Sequence, residues 1–103
     1  MNLVTLEQAK EHLRVDGNDE DDLIQLKLDA AHEQAVQYLN RSVYDTQAEV
    51  DAAVDEDRPM VVNASVKTAI LLTLGHLYAN RETADIPDGA RALLTPWRIH
   101  WGV

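Results

Sequence analysis

Two runs of apolar residues at helical spacing constrain this chain more than anything else in it. Ile24, Leu28, Ala31, Ala35 and Leu39 follow one another at intervals of 4, 3, 4 and 4, which places all five on one side of an α-helix. Val62, Val66, Ala69 or Ile70, Thr73 and Leu77 form a second stripe of the same kind. Helices near Asp19–Leu39 and from about Met60 or Asn63 to Asn80 must each bury such a stripe, and each offers the other a matching surface. The expected fold is therefore all-α, a small bundle of four or five helices with two long core helices and a C-terminal tail. With 103 residues the chain suffices for one domain, residues 1–103. Phe and Cys are absent, so Leu, Val, Ile and Ala must do the packing.

The second long helix is apolar on a further face, through Leu71, Leu74 and Tyr78. Such a helix is either central in its bundle or partly covered by a partner. The partner reading makes Leu71, Leu74 and Tyr78 candidate interface residues.

Helix ends are marked locally. Thr5-Leu6-Glu7-Gln8 fits a capping box, and Gly17 is the expected stop of the short helix it opens. Asn18 or Asp19 can cap the long helix that follows, with Glu20-Asp21-Asp22 at the positive end of its dipole. Asn40 and Arg41 mark its end. Thr46-Gln47-Ala48-Glu49 is a second capping box, opening a short helix through about Val54 that Asp55–Pro59 breaks. A last short helix covers Ala90–Leu94 and ends near Pro96. In the tail, Trp97 and Trp101 face the same way as a strand (with Ile99) or as a helix. Trp and Arg dominate interface hot spots, so Trp97, Arg98, Ile99 and Trp101 are candidate docking residues. The alternative is a tail that folds back onto its own subunit.

Charge is unevenly spread. The formal net charge is −9, with −11 in residues 1–57 and +2 in residues 58–103. Such asymmetry suits copies that stack head to tail, although acids also simply solvate loops and helix starts. A pI near 4.6 argues against gripping the phosphate backbone, which needs clustered Lys and Arg. Asp19, Glu20, Asp21 and Asp22 are the densest acids and are candidate channel or contact groups. The longest apolar run, Ala69-Ile70-Leu71-Leu72, falls far short of the ~20 residues that span a bilayer. Met1-Asn2-Leu3-Val4 shows no signal-peptide pattern. The absence of cysteine removes disulfides, thiolate nucleophiles and cysteine-based zinc sites, and a reducing compartment is expected.

Motifs of catalysis fail one after another. Gly17, Gly75, Gly89 and Gly102 are isolated, so no phosphate-cradling loop exists. The turn Asp16–Asp21 starts like a calcium loop, but Asp21 stands where Gly is needed and Lys27 where Glu is needed. His32-Glu33 lacks a second histidine ligand at Val36. His12, His32, His76 and His100 are scattered singly, and neither Ser42 nor Ser65 lies in a nucleophile elbow. Glu82 and Asp85 could be half of a magnesium site in an all-α nucleotide hydrolase, but the partner carboxylate pair is missing. No catalytic residue, metal or cofactor is expected.

Three segments in order resemble the head–tail connector (adaptor) proteins of long-tailed bacteriophages. They are Leu3-Val4-Thr5-Leu6-Glu7-Gln8-Ala9-Lys10-Glu11-His12-Leu13-Arg14-Val15-Asp16, with the acidic turn and Leu23-Ile24 after it; Val66–Leu72 continuing to His76-Leu77-Tyr78-Ala79-Asn80-Arg81-Glu82; and Ile86-Pro87-Asp88-Gly89 leading to Leu93-Leu94-Thr95-Pro96-Trp97-Arg98. Asp45–Asp57 matches least and reads as a variable insertion. The resemblance implies a structural virion protein of the neck, made in the host bacterial cytoplasm. It implies a homo-oligomeric ring of twelve subunits joining the portal protein to a stopper or tail-completion protein. DNA would pass through the channel without specific binding, as acidic walls repel phosphates. Two other classes fit the residues alone: a small acidic regulatory or antitoxin-like binding module, and the nucleotide hydrolase above.

Overall fold

The computed structural model describes residues 3–53, 58–79 and 86–99. Its order is α1 (Leu6–Leu13), α2 (Asp21–Leu39), β1 (Val43–Tyr44), α3 (Gln47–Ala52), β2 (Met60–Val61), α4 (Ala64–Ala79) and α5 (Asp88–Leu94), followed by a 3₁₀ turn, Thr95–Trp97. Five α-helices and two very short strands among the described residues make this the expected all-α bundle.

The expected stripes form its core, except that Val62 precedes α4, is half-buried and bonds to Tyr44 instead. All five stripe residues of α2 are buried, and α4 buries Val66, Ala69, Ile70, Thr73, Leu74 and Leu77. The two helices pack most extensively on each other, and α4 also carries α1 and α5. Ala31, Ala35 and Ala69 are buried small residues that let helices approach, and Ile24, Leu28, Ile70 and Leu74 belong to the same buried core cluster. Each large aliphatic side chain so buried stabilises the fold by roughly 1.5–3 kcal/mol relative to leaving it in water. The lone buried polar side chain among the described residues, Thr73, donates its hydroxyl to the Ala69 carbonyl at 2.8 Å, which removes the cost of burying it unpaired.

Several ends agree with the sequence and several do not. Thr5 and Gln8 form the full capping box, at 3.0 and 3.1 Å. At Thr46 the hydroxyl accepts from the Glu49 amide at 3.3 Å. Asn63 caps α4 by accepting from the Val66 amide at 2.9 Å, and Met60 instead belongs to β2. The helix α1 stops at Arg14, not Gly17. Arg14 takes the left-handed conformation (φ 60°) and the Val15 amide closes on the Lys10 carbonyl at 3.0 Å. Neither Asn18 nor Asp19 caps α2 through its side chain. Glu20 occupies the cap position without a side-chain capping bond, and the Asn18 amide oxygen is taken by Lys10 Nζ at 2.9 Å. Asn40 ends α2 as expected, left-handed at φ 57°.

The strands were invisible to a helix-based reading. The Met60 amide donates to the Ser42 carbonyl at 3.0 Å and the Val62 amide to Tyr44 at 2.8 Å. They pair in parallel, Val43 with Met60 and Tyr44 with Val61, and a parallel pair requires a crossover of about a dozen residues or more. The segment that matched the resemblance least supplies it: α3 lies in that crossover and ends at Ala52, two residues before Val54. The expected break at Asp55–Asp57 lies outside the described residues.

Candidate assembly surfaces

The acidic start of α2 divides into two kinds of residue. Lys10 reaches from α1 to Asp21 Oδ1 at 2.8 Å while holding Asn18, and the Tyr78 hydroxyl donates to Glu20 Oε2. These bonds tie α1, the start of α2 and the end of α4 together. Glu20 and Asp21, half-buried, are therefore bound within the subunit and hold its helices together. Asp19 and Asp22 are exposed. Tyr78 is half-buried and its hydroxyl is engaged, so its capacity for a neighbour is reduced to part of its ring.

The second apolar face of α4 is covered mostly by the subunit itself. Leu74 is fully buried, which removes it from any surface: α4 is central, with α1, α2 and α5 all packed on it. Leu71 is half-buried and lines an open groove of about 400 Å³ with Val4, Gln8, Glu11, His12 and Lys67.

The tail folds back as far as it is described. Ile99 is buried, only 5% exposed, and its amide donates to the Leu39 carbonyl at 2.9 Å. The Asn40 side-chain amide donates to the Ile99 carbonyl at 3.0 Å. Arg98 lies over the Tyr38 ring, 4.6 Å from its centre. Thr95 donates its single proton to the Arg91 carbonyl at 2.6 Å, so at the 2.8 Å contact the Tyr38 hydroxyl is the donor. Arg41 donates to the carbonyls of Trp97 at 3.3 Å and Pro59 at 3.4 Å. Ile99 is thus a clamp residue and not a docking residue, and Arg98 is half-buried against Tyr38. Trp97 remains outward, 41% exposed. Trp101 lies outside the described residues, as do His100, Glu82 and Asp85.

Two exposed leucines escaped the sequence reading, Leu26 at 63% and Leu72 at 37%. A signal for both existed. Each sits two residues from buried neighbours on either side, Ile24 and Leu28 or Ile70 and Leu74, hence about 160° around the helix from them. His32, half-buried on α2, has its pKa lowered, chiefly by burial, with Asp29 and Glu33 acting in the opposite direction. Among the described residues no group of three His, Asp or Glu side chains converges as a metal site. Nor is any described helix long and apolar enough to cross a membrane.

A small helical subunit, acidic in its N-terminal half, clamped at its tail and bearing isolated outward apolar residues, has the character of a structural assembly protein. The profile of the phage gp6-like head-tail connector protein family matches residues 3–98, through Asp45–Asp57 as well, and the chain belongs to that family. It is a structural connector protein of the phage virion, associating with other head and tail proteins. Searches of curated proteins and of solved structures find no match.

Proposed function

We propose that this chain, acting as a single connector domain, forms a closed ring in the neck of the virion. Twelve copies sit between the portal protein and a stopper or tail-completion protein, leaving an axial channel through which DNA passes without specific binding. The chain is made in the host bacterial cytoplasm and works without catalysis. The observation that carries this reading is the family match over residues 3–98 of a helical subunit. Exposed Asp19 and Asp22 supply channel charge that repels phosphate, and Trp97 with its large outward ring is the docking contact toward the portal.

The test is electron microscopy and native mass measurement of the purified chain, alone and with portal. Rings with a central hole, alone or on the portal, are the expected result. A monomer or dimer that ignores the portal and binds a basic protein instead would overturn the ring and favour the regulatory-module reading.

A further inference from the structure

We propose that neighbouring copies meet head to tail through the outer faces of α2 and α4, with Leu26 of one copy set against Leu72 of the next. This rests on the ring reading above and specifies its contact. The long helices pack on each other, and Ile24, Leu28, Ile70 and Leu74 are buried in one cluster. Leu26 and Leu72 stand opposite those residues on their own helices, so the two exposed leucines point away from each other across the pair. A subunit with two different adhesive surfaces on opposite sides is what a heterologous, ring-closing contact requires; a two-fold dimer would use one surface twice.

The chemistry of the two faces is complementary. Around Leu26, α2 exposes Asp29 and Glu33, and Asp29 is held in place by Gln25 at 2.9 Å. Around Leu72, α4 exposes only Ala64, Thr68 and Ala79, so this helix itself presents no acid there. The exposed charges beside this face lie on α5, where Arg91 accompanies Asp88. That helix runs beside Leu72, since a Cβ at Gly89 would lie 3.8 Å from Leu72 Cδ1. Arg91 reaches its own Asp88 only at 3.9 Å, in solvent, a weak pairing that leaves it able to meet a neighbour's carboxylate. The C-terminal part that supplies this face carries +2 against −11 for the part that supplies α2. The occupant of each face is thus a second copy of this chain.

The chain contains no cysteine, so two introduced thiols report the contact cleanly. Leu26→Cys and Leu72→Cys, both at exposed positions, are mixed at assembly concentration with a short bismaleimide, and Asp51→Cys serves as an exposed control. Cross-linked heterodimer as the main product is the expected result. A ladder of higher multiples should follow from the double variant, with several-fold loss of both when Asp29→Lys and Glu33→Lys are added. Homodimers of either single variant in excess of heterodimer would overturn the proposal, and so would yields no higher than the control. Microscopy of the same samples separates the two levels. Rings without the cross-link reject this contact and leave the ring, whereas neither rings nor cross-link rejects both.

Discussion

Truncating Ile99 to alanine should destabilise the subunit by about 2–2.5 kcal/mol. The side chain is 5% exposed, and three carbons are removed at about 0.8 kcal/mol each. The cavity left behind adds little here. The main-chain bonds to Leu39 and Asn40 do not involve the side chain, and an edge site relaxes more readily than a central one. For a domain of this size the loss corresponds to a fall in melting temperature of roughly 10–20 °C. Urea unfolding followed by circular dichroism measures it directly, as a lower midpoint with an unchanged slope. Asn40→Gly is the companion variant: glycine keeps the left-handed turn at φ 57° and deletes only the side-chain bond, for a cost of about 0.5–1.5 kcal/mol. A loss below about 0.5 kcal/mol for Ile99→Ala, the level of ordinary surface positions, would show the tail free in solution. The docking role assigned to Ile99 from sequence would then be restored.

The remaining predictions concern the core, a cap, a titrating group and the docking surface. Ile70→Ala, at a fully buried position of α4, should cost about 2–5 kcal/mol in the same unfolding assay. Asn63→Ala should cost about 1 kcal/mol through loss of the α4 cap. His32 is held below its ordinary pKa by burial, so the unfolded chain takes up the proton first. Stability is full above about pH 6.5 and falls as pH drops toward the folded value, by at most about 1.4 kcal/mol per pH unit. Subtracting the pH profile of His32→Gln from that of the parent protein should reveal this slope. Trp97→Ala should leave the melting curve nearly unchanged, because Arg41 bonds the Trp97 main chain and not its ring, yet weaken portal binding in a pull-down.

What the sequence disclosed follows from which interactions are local. The α2 stripe was legible residue by residue, because helical periodicity alone selects Ile24, Leu28, Ala31, Ala35 and Leu39 for one face. The Thr5–Gln8 box was legible because its partners lie three residues apart. Leu74 was misplaced because periodicity shows which residues share a face, not how many neighbouring helices cover that face. The α2 cap was misjudged because Lys10, on another helix, claims the Asn18 side chain. The fold-back of the tail depends on Tyr38, Asn40 and Arg41, more than fifty residues before it in the chain, and no local pattern announces it. Strands of two residues carry no periodicity at all. Leu26 and Leu72 were hidden for a different reason: a leucine among leucines draws notice only once its neighbours are known to be buried.

Electron microscopic reconstruction of phage particles that carry this protein tests ring membership most directly. The expected density is a ring of helical subunits of this fold at the head–tail junction, closed around the DNA path and seated against the portal. Particles in which that junction is complete without this chain, or in which the chain lies elsewhere in the virion, would contradict it.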